Sequence, residues 1–268
     1  MGMPPLGAAA ILDTSALNEI NRAITFSIKN DAAGGSPEGR AQDFLDGLRR
    51  ILGGFTGRCG CQVFTSSIVF SEQIDPRLPG SNLHHQDELL DEYASAPGFL
   101  QEWSQICEQL IPTEDVSEDE AADLRVCIRT DLGKHDHSLI VAGLKVGQAQ
   151  GGPVVLVTDD LDLIQCVEHL CRTTRAVILQ GSRYETGSLS CYLSLQALRE
   201  IHRQCGITNE FWRYVTLSFT LHNTGRTGPA AERHLKDAAK VLGEYHRDCE
   251  EKDRLDVTRD LAQELGAE

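Results

Sequence analysis

The chain has 268 residues, 41% hydrophobic and 24% charged, which is enough apolar material for a full core with or without an appendage. Twenty-five Lys and Arg against 40 Asp and Glu leave a formal charge of −15, which excludes a uniformly basic nucleic-acid coat, and no apolar run approaches a membrane span. Nine cysteines at irregular spacing fit reduced thiols in a cytoplasm: neither close pair, Cys59 with Cys61 or Cys166 with Cys171, has a partner pair at zinc-site spacing. The opening Met-Gly-Met-Pro-Pro lacks the basic region of a signal peptide, so a cytoplasmic protein with no membrane partner is expected.

In chain order, Ala8 to Leu12 reads as a short buried strand that delivers Asp13 at its tip. Thr14 and Ser15 supply hydroxyls able to cap a helix with apolar positions Leu17, Ile20, Ile24 and Ile28. Pro37 opens a second helix through Phe44, Leu45, Leu48, Ile51 and Leu52, which Gly53-Gly54 should end. Gln62 to Thr65 is the next strand, and Ser66 or Ser67 can cap a helix carrying Glu72 about one turn in. An acidic stretch from about 76 to 131 reads as two or three helices, with Ser117 and Glu120 in the form of a capping box.

Gly133 to Leu144 is a small-residue helix with Asp136 at its amino end, flanked by His135 and His137. Pro153 to Val157 is a buried strand that ends in Thr158, Asp159, Asp160 and Asp162. A helix from Leu161 leads to a last strand, Ala176 to Leu179, and everything from Leu189 onward reads as helical. Alternating strands and helices predict an α/β fold: a central parallel sheet flanked by helices over residues 1–182, then an α-helical extension over 183–268.

Asp13 in Ile-Leu-Asp-Thr-Ser, Glu72 in Phe-Ser-Glu-Gln-Ile, Asp136 in Asp-His-Ser-Leu-Ile-Val-Ala and Asp160 with Asp162 in Thr-Asp-Asp-Leu-Asp come in the order and setting of the PIN-domain nucleases. The resemblance covers roughly residues 8 to 181, with an acidic insertion longer than compact toxin-type members carry. It implies that Asp13, Glu72, Asp136 and Asp160 are a catalytic, metal-binding quartet, Asp162 an accessory acid, and Ser15 and Thr158 hydroxyls lining the site. Asp159 and Asp160 are both available as the fourth ligand; the family pattern of Thr, any residue, Asp favours Asp160. It further implies an RNA substrate, products with 5′-phosphate ends and frequent homo-oligomers, with a protein partner or antitoxin open. Leu163 departs from the family by standing where an aromatic is common.

The chemistry points the same way without the name. Two carboxylates about 4 Å apart repel by roughly 4 kcal/mol at an effective dielectric near 20, so four at one site require a cation or shifted pKa values. Hard oxygen ligands suit Mg²⁺ or Mn²⁺. Because the acids would repel a polyanion, a basic surface is expected elsewhere: Arg183, Arg199, Arg203 and Arg213, with Tyr184, Tyr192, Trp212 and Tyr214 for stacking or as core residues. Two other functions are compatible with these residues: a non-cleaving RNA- or protein-binding scaffold, and a phosphohydrolase of the haloacid-dehalogenase type. The latter wants a second acid where Ser15 stands.

Overall fold

The computed structural model describes residues 9–31, 36–57, 60–75, 93–128, 130, 132–192, 194 and 197. The acidic stretch from 76 to 92, the extension beyond 197, and with it Arg199, Arg203, Arg213, Trp212 and Tyr214, lie outside them.

Strand β1 (Ala9–Leu12) is followed by helices α1 (Thr14–Asp31) and α2 (Pro37–Gly57) and by β2 (Gln62–Ser66). A short helix α3 (Ser67–Val69) runs directly into a π-helical turn, Phe70–Ile74. Then come α4 (Phe99–Leu110), β3 (Thr113–Glu114), α5 (Glu118–Ile128), α6 (Lys134–Gln150), β4 (Val154–Val157), α7 (Leu161–Thr173), the hairpin strands β5 (Ala176–Leu179) and β6 (Ser182–Glu185), and β7 (Leu189–Tyr192). Five strands form a parallel sheet in the order β3-β2-β1-β4-β7. The fold class is therefore the expected one.

Every residue of β1 and of β4 is buried, as a parallel sheet covered on both faces requires. Helix α6 crosses β1, β2 and β4. It lies close because Gly143 has no side chain: a Cβ there would stand 2.9 Å from Leu189 Cδ2 and 3.4 Å from Leu156 Cδ1. Gly143→Val should therefore overpack this face and cost about 1–3 kcal/mol, read as a lower urea midpoint at unchanged slope.

Two expectations fail at the sheet's far edge. Ala176 to Leu179 is not the last parallel strand: it pairs antiparallel with β6, outside the sheet. Leu189 to Tyr192, expected as helix, is the fifth strand and pairs with β4 from Val154 to Val157. The cause is a two-residue turn. Gln180 and Gly181 both have positive φ, 47° and 78°, which is what a tight hairpin of the favoured twist demands. Gln180 is held there by its backbone N–H and its Nε2, which donate to Asp123 Oδ2 on α5 at 3.0 and 2.7 Å. The sheet thus extends past residue 182.

Helix α2 continues through Gly53-Gly54 to Gly57. Its buried stripe of Phe44, Leu45, Leu48, Ile51 and Leu52 outweighs the roughly 1 kcal/mol that each helical glycine costs. Tyr184 and Tyr192 are buried in the core, so neither is a stacking platform.

Candidate active site

Strand β1 has β2 on one side and β4 on the other, and the chain visits them in opposite directions. This makes the carboxyl ends of β1 and β4 the point where the winding of the sheet reverses, the place where open α/β sheets leave a crevice. Asp13 follows β1, and Thr158 to Asp160 follow β4. The two tips are tied together, since Asp13 N–H donates to Val157 O at 3.1 Å.

Asp13 is 8% exposed. Its Oδ1 accepts from Thr14 N–H at 2.6 Å, and its Oδ2 accepts from the Ser15 and Thr158 hydroxyls, each at 2.6 Å. The Ser15 and Thr158 hydroxyls thus both serve Asp13, and that of Thr14 serves Gln73, so Ser15 and Thr14 do not cap α1 as expected. Burial raises the Asp13 pKa; the three hydrogen bonds oppose it, and the charge of Asp160 adds to the rise.

Asp160 caps α7, its Oδ1 accepting from the N–H groups of Asp162 and Leu163 at 2.8 and 3.2 Å. Asp136, in the first turn of α6, accepts from Gly133 N–H through Oδ2 at 3.0 Å. Its carboxyl is pushed up to about 6, first by burial and then by the charges of Asp13 and Asp160. Three acids from three separate elements therefore share one electrostatic environment. Two of them, Asp136 and Asp160, also bond the backbone at the amino ends of α6 and α7. The second oxygen of Asp136 and of Asp160 takes no protein hydrogen bond among the described residues.

Of the two adjacent acids, Asp160 belongs to this group. Asp159 turns inward instead: it is 2% exposed and its Oδ1 accepts from Ser194 N–H at 3.2 Å. Its backbone N–H donates to Ser15 Oγ at 3.0 Å. Burial and the neighbouring Glu19 push it up to about 7. Asp162 is exposed in the first turn of α7.

Glu72 stands apart from the three aspartates. It lies in the π-turn, and its Oε1 accepts from Lys134 Nζ at 2.7 Å while Oε2 meets His135 Nε2 at 3.0 Å. The Lys134 hydrogen bond, and then His135, hold its pKa below the usual range. The same histidine's Nδ1 lies 2.9 Å from Gln73 Nε2, and Gln73 Oε1 accepts from the Thr14 hydroxyl at 2.7 Å. One continuous chain of hydrogen bonds therefore runs from Asp13 through Thr14, Gln73 and His135 to Glu72. Gln73 and Lys134 were not among the expected site residues. Both sit beside motif residues, Gln73 next to Glu72 in the π-turn and Lys134 next to His135 at the start of α6.

No family model, curated protein or solved structure gives a match to this chain. What the site can do therefore follows from its own geometry. Among the described residues, no three His, Cys, Asp or Glu side chains converge closely enough to hold a metal ion. The donor set nonetheless suits a hard divalent cation: oxygen ligands only, unneutralised negative charge shared by Asp13, Asp136 and Asp160, and carboxylate oxygens to spare on two of them.

The histidines flanking Asp136 differ. His137 is fully buried, donating from Nδ1 to Gly133 O at 2.7 Å and accepting at Nε2 from the Thr130 hydroxyl at 3.1 Å. Desolvation lowers its pKa and keeps it neutral, so it does not face a substrate. Arg183, expected as a substrate contact, lies at the wrong end: with Gly151 to Pro153 it borders a hollow at the amino end of β4, and it pairs with Glu185 at 3.0 Å. No helix among the described residues is long and apolar enough to cross a membrane.

Proposed function

We propose that this chain is a metal-dependent endoribonuclease of PIN type. The observation that supports it most is the mutual coupling of Asp13, Asp136 and Asp160 at the reversal point of a parallel sheet, with Asp136 raised to about 6 by burial and by the other two. Uncompensated acid in a crevice destabilises a protein unless it serves a ligand, and the ligand such acid serves is a cation.

Asp13, Asp136 and Asp160 would hold Mg²⁺ or Mn²⁺, with Glu72 linked to them only through His135, Gln73 and Thr14. Such an ion supplies an activated water and neutralises the charge on the leaving oxygen of a phosphodiester. The chain's own part is to fix the acids. Ser15 and Thr158 clamp one oxygen of Asp13, the α7 backbone orients Asp160, and the Thr14–Gln73–His135 chain sets the distance from Asp13 to Glu72. Lys134, 47% exposed beside Glu72, places a positive charge where a phosphate would approach. No side chain need act as a covalent nucleophile.

A non-cleaving scaffold is favoured by one observation, the engagement of Glu72 by Lys134 and His135. Total cellular RNA incubated with purified protein decides between them. The nuclease should give discrete fragments with Mn²⁺ or Mg²⁺, none with EDTA, and at least a hundredfold fewer with Asp160→Asn. Intact RNA under every condition would support the scaffold, and metal-dependent release of phosphate from p-nitrophenyl phosphate without RNA cleavage would indicate the phosphohydrolase.

A further inference from the structure

A cavity of about 860 Å³ lies between α7 and the end of α5 with the loop that follows it. Its volume falls in the range of sites that enclose a sizeable ligand. One wall is a single stripe of α7: Asp162, Gln165, His169 and Arg172 recur at helical spacing along it, and Thr130 and Leu132 face them. Asp162 N–H donates to Asp160 Oδ1 at 2.8 Å, so this end of the groove lies beside Asp160, although none of the three aspartates lines it. At 1.5 Å per residue, Arg172 lies about 15 Å farther along the axis, a span of two or three nucleotides of extended single strand.

The lining changes character over that length. Beside Asp162 it is acidic, so a polynucleotide backbone is held off there and the affinity comes from the far part of the groove, with or without a cation at the acid cluster. Farther on it offers Gln165 and His169, both exposed, with donors and acceptors for base edges. Leu132 gives an apolar surface for a base face. The far end carries Arg172, 74% exposed, beside Glu168: its Nε donates to Glu168 O at 3.1 Å, and its terminal nitrogen makes a 3.7 Å surface pair with the Glu168 carboxylate that a phosphate can displace. Thr130 is not left to rotate, because its hydroxyl is spent on the buried neutral His137. That gives His137 a reason to be there.

We infer that this groove binds the two or three nucleotides of single-stranded RNA next to the scissile bond, with bases against Leu132, Gln165 and His169 and a phosphate at Arg172. The inference rests on the nuclease reading for its direction but is tested apart from it. A fluorescein-labelled ten-nucleotide single-stranded RNA is titrated with the full chain in EDTA at low salt, where nothing is cleaved, and anisotropy is read for wild type, Arg172→Glu and Gln165→Ala/His169→Ala. All three positions are at the surface, and a melting curve for each variant checks its fold.

Binding weakened at least tenfold by Arg172→Glu and severalfold by the double variant, with a ten-base-pair duplex bound no better by wild type than by the variants, is the expected result. Equal binding by wild type and both variants, or no binding by wild type, overturns the groove. If wild type binds through the groove yet leaves RNA intact with Mn²⁺, the groove stands and the nuclease reading falls. If it cleaves while the variants bind and cleave like wild type, the reverse holds.

Discussion

Asp13→Asn is expected to abolish RNA cleavage, by about 10²–10³-fold or more, and to leave the protein at least as stable as wild type at pH 7.5. The loss follows from the several kcal/mol that a bound metal contributes to a phosphodiester transition state, each 1.4 kcal/mol being a factor of ten. The stability follows from the hydrogen bonds. An asparagine Oδ1 still accepts from Thr14 N–H, and the Ser15 and Thr158 hydroxyls can rotate to accept from its amide where they now donate to a carboxylate. What disappears is a buried negative charge whose pKa burial has already raised. An acid kept only as a helix-end residue behaves the other way: substituting it costs stability and leaves any activity alone. Melting temperature and cleavage measured on one preparation therefore separate the two roles. A variant that melts well below wild type and still cleaves would sink the assignment of Asp13 to the metal site.

The central sheet was legible because its strands announce themselves. Ala9 to Leu12 and Val154 to Val157 are short, wholly apolar, and end in Asp-Thr-Ser and Thr-Asp-Asp, so both the burial and the direction of the chain could be read. The edge was not, because Leu-Ser-Cys-Tyr at 189–192 has no β-branched residue and no clean alternation, and helix and strand are poorly separated over four residues. The turn that redirects the chain uses Gln180 at positive φ, where asparagine or aspartate would have signalled a hairpin.

The same division holds at the site. Asp13 and Asp160 are positions on strand tips, and sequence order alone brings them together. Whether Glu72 joins them depends on a π-turn and on Lys134, which local periodicity does not reveal. Asp159 was as good a candidate as Asp160 by composition. Only the direction of its side chain, toward Ser194 and Glu19, removes it from the crevice.

That inward direction gives the second large effect. Asp159→Asn should stabilise the protein at pH 8 by several kcal/mol and at pH 4.5 by about a quarter as much. In the folded chain Asp159 holds its proton up to about pH 7, against roughly 3.9 in an unfolded chain. Between those values the native state binds more protons than the unfolded one, so stability falls as pH rises, fully retained below about pH 4 and lost through pH 7. Holding the proton over that range is worth on the order of 4 kcal/mol, roughly 10 °C in melting temperature for a domain of this size. Asparagine keeps the oxygen that accepts from Ser194 N–H and has no proton to lose. Because Asp13 and Asp136 also titrate, the informative quantity is the difference between variant and wild-type melting temperatures across pH, which should open from about a quarter of its full value at pH 4.5 to that full value by pH 8. A difference that stays flat over that range would mean that Asp159 is ionised throughout and that a counter-charge, not a proton, satisfies it.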